Sequence, residues 1–271
     1  TVIRDNAGKL FIYHHQHSWN YTVSDDKTTI DVACGETSCP TKAAGNVTIV
    51  APEESTLTYD GSGKPATLEN NLLSDVKAPK ISYTKGSGQG SSLAVGSVPT
   101  DAGSYTASIT LGGVTASVTY EIAKATPKAD DFTFTAPSDL TYDGSAKFAT
   151  IKTLEGINGM GEFTWKYKQG QTGKMVSEPT DADTYTVVIS VAEGDNYKLA
   201  DNLSSAAWMF EIQRNSTKPI VELSENKTYT YTGSEIRPRV TVKTIDGKTL
   251  VEGTDYMVSY GENKDVGEGT I

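Results

Sequence analysis

From Tyr105 to Ile122 the chain alternates between apolar and polar residues. Tyr105, Ala107, Ile109 and Leu111 alternate with Thr106, Ser108 and Thr110. Gly112 and Gly113 follow, and Val114, Ala116, Val118, Tyr120 and Ile122 then alternate with Thr115, Ser117, Thr119 and Glu121. Successive side chains on a strand point to opposite faces, so this pattern predicts two strands joined by a two-residue turn. One face is apolar and covers a core, while the Thr/Ser face meets water. Shorter runs predict strands at 11–13, 19–23, 28–32, 47–50, 56–59, 132–135, 140–142, 163–167, 185–191, 208–212, 240–243 and 256–260. A long connection, 192–207, is expected between two of them. No long stretch carries apolar residues at i, i+3, i+4 and i+7, so the expected fold class is all-β.

Two markers recur in the same order. Leu57-Thr-Tyr-Asp-Gly-Ser62 returns as Leu140-Thr-Tyr-Asp-Gly-Ser145, and more loosely as Tyr229-Thr-Tyr-Thr-Gly-Ser234. Asp101-Ala-Gly-Ser-Tyr105-Thr returns as Asp181-Ala-Asp-Thr-Tyr185-Thr, each copy preceded by Pro-Thr. Ordered recurrence of two markers predicts one folding unit used repeatedly. The expected division is a small β segment at 1–45, modules at 46–124 and 125–214, and a third at 215–271 that stops before its closing strand. The linkers near Pro127 and Pro219 are short and proline-bearing, which favours a semi-rigid string over a Gly/Ser tether.

The Asp-x-Gly-x-Tyr marker at the start of a late strand resembles the tyrosine corner of immunoglobulin domains. Asp101 with Tyr105, and Asp181 with Tyr185, are the expected corner residues. Immunoglobulin domains carry a Cys two residues beyond that Tyr. Here Ala107 and Val187 stand there, so apolar packing must replace the inter-sheet disulfide. Taken together, the markers resemble the Tyr-Asp-Gly (YDG/MBG-type) repeats of large bacterial surface proteins. Gly253-Thr-Asp-Tyr-Met-Val-Ser-Tyr260 looks like a sister repeat, so the resemblance spans 46–271. It implies tandem immunoglobulin-like β-sandwich modules, an extracellular or cell-surface location and a structural or adhesive role. It supplies no catalytic residues.

The net charge of −10, with no Lys/Arg cluster, argues against nucleic acid or an anionic bilayer as partner. No run of 18 apolar residues occurs, so no membrane insertion is expected. The sequence begins at Thr1 in mid-pattern and stops at Ile271 inside another, which reads as a monomeric piece of a longer chain.

The candidate chemistry is sparse. His15, His17, Cys34 and Cys39 have metal-ligand composition. His-x-His on a strand points both rings to one face, and Cys-x4-Cys across a turn supplies two thiolates, which would complete a closed tetrahedral zinc site. A Cys34–Cys39 disulfide is the first expectation, favoured by an extracellular location, with structural zinc and two thiols as alternatives. No other cofactor is expected. Gly61-Ser-Gly-Lys64 is followed by Pro65 and precedes no helix, so it reads as a hairpin loop and not a phosphate cradle. The recurring Asp residues read as turn formers, and the histidines all lie within the first 17 residues, far from any triad. An enzyme is not expected. Asp195, Asn196 and Tyr197 form the most plausible binding loop, near Trp165, Tyr167 and Trp208. The first expectation for function is therefore a stalk. The second is an adhesin whose loops bind host glycan or protein, and the third an accessory region of a secreted enzyme.

Overall fold

Valine, isoleucine, threonine and tyrosine fill the ordered segments, and such side chains favour a pleated, half-buried backbone. The computed structural model describes residues 2–4, 8, 10–12, 17–37, 39, 42, 44–86, 90–170, 172–223, 228–245 and 247–271, with 2–4 and 10–12 described by backbone alone. Their elements are nearly all strands in small antiparallel sheets. Among the described residues, no helix is long and apolar enough to cross a membrane.

β1 (Val2–Arg4) and β2 (Leu10–Ile12) form a two-stranded ladder. β3 (Trp19–Val23), β4 (Thr29–Cys34), β5 (Ala44–Val50) and β6 (Thr67–Asn70) make a four-stranded sheet in that order. β7 (Ser82–Lys85), β8 (Ser91–Ser92), β9 (Gly103–Leu111) and β10 (Val114–Ile122) make a second, ordered β10-β9-β7-β8. Both sheets feed one apolar core. Ile30 and Val32 of β4 and Val47 and Ile49 of β5 meet Tyr83, Tyr105, Ala107, Ile109, Ala116 and Ile122 of the other sheet. The predicted boundary between 45 and 46 therefore needs correction, since it falls inside β5. Residues 19–34 are not a separate segment. Their alternating Ile30 and Val32 supply half of the wall facing β9 and β10.

The predicted hairpin is β9 and β10, in register from Leu111↔Val114 to Gly103↔Ile122. Gly112 and Gly113 have φ of +59° and +83°, the backbone that a tight turn between right-twisted strands demands. A Cβ on Gly112 would lie 2.0 Å from the Tyr21 ring of β3, so space as well as backbone reserves this position for glycine.

Beyond Ile122, β11 (Phe132–Thr135) pairs with β12 (Thr150–Thr153). β13 (Phe163–Gln169), β14 (Met175–Val176), β15 (Thr184–Val191) and β16 (Ala200–Glu211) form a sheet ordered β14-β13-β15-β16. Phe132 meets Phe163 and Trp208 edge-on at centroid distances of 5.1 and 6.1 Å, joining the two-stranded ladder to the larger sheet. β16 begins at Ala200, so the expected long connection shrinks to 192–199. β17 (Ile220–Leu223) pairs with β18 (Val240–Lys243).

Three predicted strands are absent. Residues 56–59 and 140–142 carry only the single bridges Thr58↔Ala123 and Thr141↔Gln213, the first preceded by a 3-10 turn at Glu54–Thr56. Residues 256–260 carry the bridge Glu252↔Tyr256, and the chain beyond closes on itself through Gly261 N–H to Thr270 C=O at 3.0 Å. The chain divides into two compact units. The first is 1–138 with 147–179 and 184–210, and the second is 139–146 with 180–183 and 211–271. The predicted division at 124/125 thus lies within one compact unit.

Candidate functional site

Among the described residues of the first unit, a buried polar arrangement surrounds Asn196. The chain leaves β10 and pairs backward. Ala123 N–H donates to Leu57 C=O at 2.8 Å, and Tyr59 N–H donates to Ala123 C=O at 2.9 Å. Two residues on, Ala125 pairs forward. Its N–H donates to Asn196 C=O at 3.0 Å, and its C=O accepts Lys198 N–H at 2.8 Å. The linker is therefore hydrogen-bonded on both sides and has little freedom to bend.

The Asn196 side chain locks this joint. Its Oδ1 accepts Ala102 N–H at 2.8 Å, and its Nδ2 donates to Asp101 Oδ1 at 3.0 Å and to Asn158 C=O at 3.3 Å. Its own N–H donates to Gly159 C=O at 2.9 Å. With 3% of its surface exposed, Asn196 has every donor satisfied, as burial of an amide requires. Tyr197 sits edge-on to Tyr59 at 5.5 Å, and Tyr59 Oη donates to Asn158 C=O at 3.2 Å. Tyr197, Ile157 and Met160 thereby join the core whose other members lie between Trp19 and Ala125. At the exposed rim, Lys124 Nζ lies 2.6 Å from Glu193 Oε1, and the pair holds the Glu193 carboxyl below its usual range.

Glycines make the close approach possible. A Cβ at Gly159 would meet the Asn196 side chain at 2.6 Å, and one at Gly194 would meet Gly161 N at 2.3 Å. Sequence reasoning missed this surface, whose available signal was the run Gly156-Ile-Asn-Gly-Met-Gly161, three glycines in six residues.

The predicted binding loop is thus corrected. Asn196 and Tyr197 are buried in the joint, and Asp195 beside them is exposed. Tyr167 and Trp208, named beside that loop, are 1% and 4% exposed and belong to the core. The physical cause is that Ala102 N–H, Asp101 and Asn158 C=O offer the Asn196 amide a full set of partners away from water.

The corner residues fall partly into the same site. Tyr105 Oη donates to Asp101 C=O at 2.9 Å, while the Asp101 carboxylate accepts from Asn196. One residue therefore fixes the corner and faces the joint. Tyr185 is 1% exposed and stacks on Phe210 at 5.6 Å. In the second unit, Tyr142 Oη donates to Asp255 Oδ1 at 2.6 Å, and Asp255 Oδ2 accepts Val251 N–H at 2.8 Å. The hydrogen bond to the Asp255 carboxylate, with burial and the charges of Asp255, Asp181 and Asp143, pushes the Tyr142 phenol up to about 12. Lys64, from the rejected phosphate-loop reading, is paired with Asp60 at 2.7 Å.

Of the four metal-type residues, His15 lies outside the described residues. His17, Cys34 and Cys39 come together, with one ligand atom from each all within 4.8 Å of one another. The expected Cys34–Cys39 disulfide is not formed in the structure. The loop after β4 sets the Cys39 sulfur 3.6 Å from His17 Nδ1.

Compared with known proteins, the chain matches no protein-family model, no curated protein and no solved structure.

Proposed function

We propose that the chain is a non-catalytic spacer from a bacterial cell-surface protein, built of tandem immunoglobulin-like β-sandwich modules with stiff joints. The observation that carries this reading is the Asn196 joint, in which the linker pairs with the module before it and the module after it. A stalk needs that property, because its work is to hold something at a distance. A freely bending linker would forfeit the reach.

A recurring hydrogen-bond frame supports the tandem reading. Lys64 N–H to Pro99 C=O at 2.7 Å has its counterpart in Lys147 to Pro179 at 2.9 Å. Tyr83 Oη accepts Ala66 N–H at 3.1 Å, and Tyr167 Oη accepts Ala149 N–H at 3.0 Å. Asp60 and Asp143 each accept the Ser N–H two residues on at 2.8 Å, so the Tyr-Asp-Gly marker makes the same turn twice. Tyr59 and Tyr142, the tyrosines of that marker, each reach a loop far along the chain, at Asn158 and Asp255.

The adhesin reading loses its best candidate with the burial of Asn196 and Tyr197. Screening the immobilised full chain against a glycan array and host extracellular proteins tests the choice. The spacer reading expects no saturable binding. A ligand whose binding disappears on substitution of an exposed loop residue would establish an adhesin instead.

A further inference from the structure

His17, Cys34 and Cys39 are carried to one edge of the first four-stranded sheet by three different pieces of chain. Trp19 opens β3 and is paired with Cys34 at the end of β4, so His17, two residues before Trp19, lies beyond the ladder next to Cys34. Gly35 N–H donates to Ser18 C=O at 2.8 Å and prolongs that pairing. The loop then turns through Cys39 N–H to Glu36 C=O at 3.1 Å, which brings the third side chain back. The His17 ring is fixed by stacking on Trp19 at a centroid distance of 4.6 Å, with Nδ1 facing the Cys39 sulfur. Cys39 is 7% exposed, while His17 and Cys34 are half-buried.

From this geometry we propose that His17 Nδ1, Cys34 Sγ and Cys39 Sγ bind one zinc ion. Tetrahedral zinc with bonds of about 2.3 Å to sulfur and about 2.0 Å to nitrogen needs its ligand atoms some 3.5–3.8 Å apart. The Cys39–His17 separation of 3.6 Å already meets this, and the 4.8 Å limit on the set asks only a small contraction. Charge also fits. Two thiolates and a neutral imidazole cancel Zn²⁺, so a site with one buried and two half-buried ligands carries no net charge. Soft sulfur donors with imidazole select zinc over magnesium or calcium, which prefer oxygen. A bound ion would tie the entry to β3, the end of β4 and the β4–β5 loop together. A disulfide between Cys34 and Cys39 would consume two of the three ligands, so the two states exclude each other.

The test uses the full chain, reduced, with zinc under anaerobic buffer. Elemental analysis after dialysis should find one zinc per chain. Cobalt(II) in its place should show thiolate-to-cobalt charge transfer and the strong visible bands of four-coordinate cobalt. H17A, C34S and C39S should each weaken zinc binding by more than about 100-fold, beyond the loss typical of outer-shell partners. Strand content by circular dichroism identifies any variant that fails to fold, and the remaining variants with the wild-type titration then decide. A reduced chain that takes up no stoichiometric zinc overturns the proposal. So does zinc binding that survives both C34S and C39S.

Discussion

Replacing Asn196 by alanine should loosen the joint without unfolding either core. The variant N196A removes the acceptor of the Ala102 amide, which is buried and has its 2.8 Å bond to Oδ1. Leaving a buried donor unmade costs about 1–3 kcal/mol. The bond to Asp101 is lost as well, but Asp101 is exposed and water replaces most of it. Asn158 C=O keeps Tyr59 Oη as a donor, so that loss is small. The sum is about 2 kcal/mol, roughly a 30-fold rise in local opening at tenfold per 1.4 kcal/mol. Amide hydrogen exchange by NMR reads this directly. Ala102, Ala125 and Lys198 should exchange about 30-fold faster, while Ser117, bonded to Lys27 C=O far from the joint, should not change. N196D adds a sharper test. It keeps an acceptor for Ala102 but sets a second carboxylate where Nδ2 now lies 3.0 Å from Asp101 Oδ1. At neutral pH it should be worse than N196A. The folded form would bind an extra proton, so its deficit should shrink as pH falls toward the carboxylate range. Unchanged exchange at Ala102 in N196A, or N196D indifferent to pH, would refute the assignment of Asn196 as the lock.

Two further outcomes are expected. G112A should lower the thermal midpoint by the equivalent of more than about 2 kcal/mol, since it combines a positive φ with collision at Tyr21, whereas G113A, which faces open space, should cost about 1 kcal/mol. Equal effects of the two would show that Tyr21 yields. Tyr142 titrates high because its hydroxyl donates a hydrogen bond to the Asp255 carboxylate, so the folded form holds the phenol proton above the ordinary value of 10.0. The stability it lends the second unit is full below about pH 10 and is lost as pH rises toward 12. Asp255, lowered by the same bond and by Val251 N–H, contributes in the opposite sense and is lost as pH falls through its folded value. Tyrosinate difference absorbance should lose one late-titrating group in Y142F, and a wild-type Tyr142 that ionises near 10 would contradict the contact.

What the sequence made legible depended on the length and face of each strand. β9 and β10 were readable because nine residues each alternate without interruption. β3, β11 and β18 were found with their bounds, since aromatic and β-branched residues crowd them. β7, β8 and β12 were not, being two to four residues long and largely polar, nor was β14, whose two residues are too few to show a pattern. Residues 1–45 carry none of the recurring markers and so read as a separate segment. Yet Ile30 and Val32 had the alternation of a core strand, and that local pattern predicted their place better than the repeat did. The joint was misread for a general reason. Gly, Asp and Asn are the residues of exposed loops, but a buried Asn flanked by glycines also serves where backbone amides lack partners.

The central claim is that residues 123–125, paired with 57–59 on one side and 196–198 on the other, make the first unit one stiff body. Residual dipolar couplings of backbone amides in the full chain measure that directly. Couplings from residues 19–123 and from 125–138, 147–179 and 184–210, all within the first unit, should fit a single alignment tensor in the wild-type chain and require two in N196A. Two tensors in the wild-type chain would contradict the account.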